Sequence, residues 1–413
     1  MENYYSVKTN FYCNNTPTEL VREFGSPLYV YNEKILRERC REMKELVTYP
    51  HFKPNYSIKA NSNLQLLKIA LEEGMNADAM SPGEIHVLLE AGFKKENIFY
   101  ISNNVSADEL KFAIDNDITV SIDSLSQLEL FGKINRGGKL SIRFNAGVGA
   151  GHHEKVVTAG KKTKFGINID KVDEVKAILN KYELKLIGIN QHIGSLFMDG
   201  SKYVESVHYL LELAKEFKDL EFIDMGGGFG IPYNKQKGEA RLDLKSLGQR
   251  LDKVLYDFAK ELGREITFKI EPGRYIVAEC GSIIGTVNAV KVNYETTFVG
   301  TDVGFNVLAR PVMYDSHHDI EIYSDTPSTE SKTVTVVGNI CESGDILAKD
   351  RVLPLIKEGD LIGIMDAGAY GYSMSSNYNN RLRPAEVLIQ ENGTPRLIRR
   401  RDTFEDLLRN FEV

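Results

Sequence analysis

The chain has 413 residues, with 51 Lys and Arg against 58 Asp and Glu, a formal net charge of −7. This mildly acidic balance argues against nucleic acid or an anionic membrane surface as main partner, and at about 150 residues per domain the length suggests two or three domains, or one large barrel with a smaller unit. Hydrophobic residues make up 42% and charged residues 26%, ordinary values for a globular chain able to bury a large core without disulfide or metal staples.

The first residues, Met1 to Tyr12, are polar and lack the apolar stretch of a signal peptide. No run of about 18 apolar residues follows anywhere, so no membrane span is expected. Cys13, Cys40, Cys280 and Cys341 are scattered, without a CxxC pair. They read as reduced thiols of a cytoplasmic protein.

Eight short β-type runs then recur: Asn55–Lys59, Asn76–Met80, Ile98–Ser102, Ile118–Asp123, Lys139–Phe144, Lys185–His192, Glu221–Met225 and Ile266–Glu271. Stripes such as Leu64-Leu67-Leu71 and Val207-Leu210-Leu211-Ala214 place helices between them. Ser81 with Glu84, Ser106 with Glu109 and Ser124 with Gln127 read as capping boxes, and Pro82 suits a first helical turn. The first five strand ends are spaced by 21 or 22 residues, one βα unit each, before an insertion rich in Gly, His and Lys between 145 and 168. Alternating β and α implies a parallel sheet, and eight units fit a (β/α)8 TIM barrel better than an open doubly wound sheet.

Beyond Pro272 the pattern changes to short strands with period-two alternation, including Thr333–Val337, Leu361–Met365 and Glu386–Ile389, with Asn392-Gly393 as a hairpin turn. The expected organisation is an α/β barrel over 27–274 and a C-terminal antiparallel β-domain over 275–413, a sandwich or barrel-like unit joined by residues 1–26. Arg399-Arg400-Arg401 reads as a solvated or interface strand.

Barrel sites lie at the C-terminal ends of the strands. Lys59, Asp78, Asp123, Arg143 with Asn145, His192, Gly226-Gly227-Gly228 and Glu271 fall there, polar or glycine positions from seven of eight strands. A lysine ending an apolar strand is desolvated and is a candidate Schiff-base amine. Taken alone, Lys59 is more simply a lysine reaching to solvent. Consecutive glycines after strand seven let backbone N–H groups approach a phosphate, although the run does not match GxGxxG. Glu271 could hold a proton on a ring nitrogen, and His192 offers a flat ring to stack on the same cofactor. Together these residues meet the needs of pyridoxal phosphate. The pairs His152-His153 and His317-His318 lack metal-ligand spacing, so no metal is expected.

The segments YSIKANSN (Tyr56–Asn63), HIGS (His192–Ser195), GGGFG (Gly226–Gly230), EPGR (Glu271–Arg274), ICESGD (Ile340–Asp345) and GAYGYSMSSNYNNRLRPAEVL (Gly368–Leu388) resemble the fold-type III pyridoxal-phosphate decarboxylases. The stretch RPVMYD (Arg310–Asp315) is more similar to members acting on meso-2,6-diaminopimelate than to ornithine and arginine decarboxylases. The resemblance implies pyridoxal 5'-phosphate as cofactor and release of CO2 from that substrate to give L-lysine, the last step of lysine biosynthesis. It implies Lys59 as the amine of the internal aldimine, Glu271 on the pyridine nitrogen and His192 on the ring face. Ser195, Gly226, Gly227, Gly228, Gly273, Arg274 and Tyr370 would surround the phosphate, with Asp78 in support. Arg274, Arg310 and Tyr314 would hold the distal carboxylate, Glu342 the distal amine, and Cys341 would donate a proton. Cys341 and Glu342 would reach the partner's site in a homodimer with shared active sites. Two positions depart from the family pattern: the 147–163 segment and Tyr372, where a small residue is common. A decarboxylase of D-ornithine, D-lysine, ornithine or arginine is the alternative.

The residue types themselves suit the same substrate class. Two arginines and a tyrosine exceed what a simple diamine tail requires and suit a second carboxylate.

Overall fold

The eight βα units close into a barrel in a computed structural model that describes residues 4–145 and 163–412. The strands are Phe52–Ser57, Asn76–Ala79, Ile98–Ile101, Thr119–Ile122, Lys139–Asn145, Lys185–Asn190, Phe222–Asp224 and Thr267–Ile270. Each pairs in parallel with the next, Ser121 opposite Ser141 joins the fourth to the fifth, and Phe268 opposite Phe52 closes the ring. A two-residue strand, Ile167–Asn168, lies beside the fifth. Phe99 and Ile101 of strand three cluster with Ile187 and Phe222 of strands six and seven. Those strands are not neighbours of strand three, so the cluster runs across the barrel interior.

Local chemistry explains the helix starts. Ser106 and Glu109 form a reciprocal capping box. At Ser81 and Ser124 only half of the expected box forms: each hydroxyl accepts from the third helical N–H. Glu84 instead accepts from Met80 N, and Gln127 donates to Val105 O. The helix Leu64–Glu72 buries Leu66, Leu67, Ile69 and Ala70, while Leu64 is exposed. Asn63 caps this helix and places Leu64 in its solvent-facing first turn, so the buried stripe is offset from the predicted one.

The chain divides into two compact units. The barrel unit is Arg37–Ile231 with Arg241–Ile276; the other is Met1–Leu36, Pro232–Ala240 and Val277–Val413. This moves both expected boundaries. Leu28–Asn32 is a strand of the second unit, antiparallel to Gly281–Asn293 and parallel to Ala385–Ile389, and its ladder hydrogen bonds take it out of the barrel. The second sheet runs Ile346–Pro354, Ser331–Val337, Thr296–Thr301, Gly281–Asn293, Leu28–Asn32, Ala385–Ile389, Pro395–Arg399, with Ile320–Tyr323 and Leu361–Ile364 attached through Gly281–Asn293. It is mixed rather than purely antiparallel: Leu28–Asn32 with Ala385–Ile389 and Thr296–Thr301 with Ser331–Val337 are parallel pairs. Both have long connections, which parallel pairing needs. Asn392-Gly393 does turn a hairpin, with Gly393 at φ 84° and its N–H donating to Gln390 O. The N-terminal residues are tied to this unit through Ser6 N to Glu321 (3.1 Å) and Asn32 Nδ2 to Phe11 O (2.7 Å). Among the described residues no helix is long and apolar enough to cross a membrane.

Candidate active site

Strand seven ends at Asp224, whose carboxylate shapes the turn after it. Oδ1 accepts from Gly226 N at 2.9 Å, and Oδ2 accepts from Asn55 Nδ2 at 3.2 Å. Gly226 and Gly228 adopt φ of 76° and 111°, which favours glycine. A Cβ on Gly226, Gly227 or Gly228 would lie 2.2, 2.0 or 2.4 Å from the carbonyl oxygens of Gln191, Glu271 and Gly194. The run is therefore required by the approach of the backbones that follow strands six and eight.

Gly227 N–H donates to His192 Nδ1 at 3.2 Å. That nitrogen is therefore an acceptor, and the ring is neutral. Burial, with Lys59 and Arg143 nearby, holds its pKa well below the usual imidazole value. Glu271 Oε2 lies 3.4 Å from the same nitrogen. Because the ring is neutral, this contact is not an ion pair. Burial pushes the Glu271 carboxyl up to about 7, against the opposing pull of Lys59, Arg143 and a hydrogen bond with Asp224.

Asp78 is fully buried and accepts from Ser57 Oγ at 2.6 Å. Burial and the charge of Glu271 push its pKa well above the carboxylate range. Asp224 is raised by the same two causes. Arg143 is buried, its guanidinium 4.5 Å from the Phe165 ring centroid, and burial lowers its pKa against the pull of Glu271 and Asp123. Asp123 accepts from Asn103 Nδ2. Among the described residues, Glu271 Oε1, Asp78 Oδ1 and Arg143 Nη2 are buried without a hydrogen-bond partner. Orphaned polar atoms are costly, and three at one barrel end, beside a glycine turn that no side chain could enter, fit a polar ligand of the pyridoxal phosphate type.

Lys59 is not on the strand itself. The first strand ends at Ser57, where Ser57 N donates to Pro272 O at 3.1 Å, and Lys59 sits half-buried in the 3-10 turn Ile58–Ala60. A Cβ on Gly273 would lie 3.0 Å from that of Ser57 and 3.2 Å from that of Ala60. Arg274 is buried and donates from Nη2 to Ser195 Oγ at 3.0 Å. The barrel unit thus gathers Lys59, Asp78, His192, Ser195, the glycine run, Glu271, Gly273 and Arg274.

The remaining candidates belong to the sheet unit. Arg310 is 1% exposed and begins the short helix Arg310–Tyr314. Tyr314 is half-buried and Tyr370 half-buried at φ 58°. Cys341 and Glu342 are exposed, and Cys341 N donates to Asn379 Oδ1 at 2.8 Å. Cys341 lines a groove of about 620 Å³ with Asn306, Asn339 and Arg381. Of the other cysteines, Cys40 and Cys280 are buried. The 147–163 segment, with His152-His153, lies outside the described residues except for Thr163.

Sequence reading missed Asp224 and Lys269. Asp224 had a signal, an Asp two residues before a glycine that must turn left-handed. Lys269 had none: it sits over the Phe222 ring at 3.9 Å, in the barrel interior, because the barrel closes around its strand.

The barrel, its glycine turn and the buried acid beside a neutral imidazole fit a cofactor-binding barrel enzyme, and a family model supplies its class. The pyridoxal-dependent decarboxylase, pyridoxal binding domain, matches residues 33–278. The enzyme is a carboxy-lyase whose cofactor is pyridoxal 5'-phosphate. Over nearly the whole chain it is similar to a diaminopimelate decarboxylase of Methanothermobacter thermautotrophicus, 42% identical and covering 96% of this chain and 94% of the relative. The enzyme of that name from Escherichia coli (strain K12) is 35% identical, covering 98% of each. A crystal structure of the Helicobacter pylori diaminopimelate decarboxylase complexed with L-lysine superposes with a TM-score of 0.88 at 32% identity, covering 95% of this chain and 98% of that one. The chain belongs to the diaminopimelate decarboxylase family.

Proposed function

We propose that the protein converts meso-2,6-diaminopimelate to L-lysine and CO2, the closing step of lysine biosynthesis. The near full-length similarity to chains named for this activity carries the substrate. The buried Glu271–His192–Gly227 arrangement supports the assignment of cofactor contacts.

The bound cofactor supplies an electron sink for the charge left at Cα when CO2 departs. Lys59 Nζ would hold it covalently, and the N–H groups of the Gly226–Gly228 turn and Gly273, with Ser195, Arg274 and Tyr370, would cradle its phosphate. Glu271 would hold a proton on the ring nitrogen. The carboxyl that burial raises to about 7 is returned to its ionised form by a cationic partner. His192, neutral and fixed through Nδ1, presents a flat face without adding charge, and Asp78 supports the Lys59 side of the site. Arg274, Arg310 and Tyr314 would orient the distal carboxylate and Glu342 the distal amine. Cys341 Sγ would deliver the proton to Cα.

Cys341 and Glu342 are exposed on the isolated chain, as residues of a homodimer with shared active sites would be before pairing. The four cysteines, none of them in a disulfide, suit a cytoplasmic setting. The test is an assay of the loaded enzyme on meso-diaminopimelate, lysine, ornithine and arginine. CO2 with lysine from the first alone is the expected result. Release from ornithine or arginine without turnover of meso-diaminopimelate would overturn the substrate.

A further inference from the structure

We propose that His318 is a positioning residue for substrate recognition: it holds the Arg310 guanidinium in place for the distal carboxylate. The inference rests on the reading of Arg310 given above. A guanidinium only donates, so the 2.8 Å contact between Arg310 Nη1 and His318 Nε2 makes that ring nitrogen an acceptor. His318 Nδ1 lies 2.7 Å from Met365 O. A carbonyl only accepts, so Nδ1 carries the ring proton. The two contacts fix one tautomer of one neutral imidazole, in a residue only 2% exposed.

The surroundings are built for the same purpose. Arg310 Nη2 donates to Ser316 Oγ at 3.2 Å. The guanidinium carbon stands 4.6 Å from the Tyr233 ring centroid, and Tyr233 meets His318 edge-on at 5.4 Å. Lys235, two residues along from Tyr233, is pinned by Asp366 at 2.6 Å and Glu279 at 3.3 Å. A carboxylate in the place of His318 would also orient Arg310, but would neutralise it before an anionic substrate arrived. An imidazole acceptor orients the guanidinium and leaves its charge undiminished. His318 thus acts through Arg310 and touches no reacting atom.

The test is steady-state kinetics of the full-length holoenzyme on meso-diaminopimelate. In His318→Gln the amide oxygen reaches the Nε2 position, and KM stays within about threefold of the parent. His318→Asn reaches only the Nδ1 position and loses the acceptor; KM rises about ten- to hundredfold with kcat within about threefold. Arg310→Ala gives a similar rise, and the His318→Asn/Arg310→Ala double variant is no worse than Arg310→Ala alone. Equal KM in the Gln and Asn variants, or independent addition in the double variant, overturns the role of His318 while leaving the function standing. If the parent makes no lysine, or Arg310→Ala leaves KM unchanged, the substrate reading fails and this inference with it. Should His318→Asn not fold, Ser316→Ala and His318→Gln decide. Ser316→Ala raises KM about tenfold while Gln stays within about threefold of the parent, and a Gln variant as impaired as Arg310→Ala overturns the proposal.

Discussion

Each unit buries a carboxyl group that burial raises to about 7, Glu271 in the barrel and Asp366 in the sheet unit. Asp366 has a dedicated partner: Lys235 Nζ lies 2.6 Å away and is itself held by Glu279. Glu271 instead sits in a crowd: burial and its charge raise the pKa values of Asp78 and Asp224, Lys59 and Arg143 oppose its own rise, and a neutral imidazole stands at 3.4 Å. The same displacement therefore has two meanings. A buried acid paired locally to one lysine is a clasp on the 232–240 segment. A buried acid with several partial partners, among them two further raised carboxyls, is a site awaiting a ligand.

Substitutions can break this contrast, the most damaging first. Lys59→Ala should lower kcat at least ~1000-fold and remove the visible absorbance of protein-bound cofactor; a surviving band would show that another amine holds it. Glu271→Gln should lower kcat on the order of 100-fold or more while thermal unfolding changes little, since the amide occupies nearly the same volume. Asp366→Asn should do the reverse, leaving kcat near the parent value and costing about 3 kcal/mol, because one partner of a buried ion pair is removed. Similar kinetic losses in the two variants would erase the distinction between clasp and site.

Titration gives the smallest effect. A carboxyl raised from 4.5 to about 7 binds its proton more tightly in the folded chain. Its contribution is fully present below pH 4.5 and is lost as pH rises through 7. Cofactor-free protein should therefore lose on the order of 1–3 kcal/mol between pH 5 and 8, and Glu271→Gln should remove part of that slope. Equal slopes in melting curves of parent and variant would place the titration elsewhere, with Asp366 the next group to substitute.

Much of the barrel was legible because its signals are local. Strand and helix periods, Ser106 with Glu109, and polar residues at strand ends all lie within one βα unit of the sequence. Sheet membership was harder to read. Leu28–Asn32 falls inside the span expected for the barrel, 27–274, yet its partners lie some 250 and 350 residues away, and no local pattern encodes such pairing. The half-formed boxes at Ser81 and Ser124 show the same limit, since Glu84 and Gln127 found other partners once the chain had folded.

By itself, the sequence determined the eight βα units, the residue types at the strand ends and, through its motifs, the chemical family. Tertiary structure alone decided the charge states that make those residues useful. Lys269 became an interior cation only when the barrel closed, and Asp224 acquired its role only when Asn55 and Gly226 met its carboxylate. His318 became an acceptor only when Arg310 and the carbonyl of Met365, 47 residues further on, were brought to its two nitrogens. Burial and hydrogen-bond geometry set protonation, and both arise from contacts between residues distant in the chain.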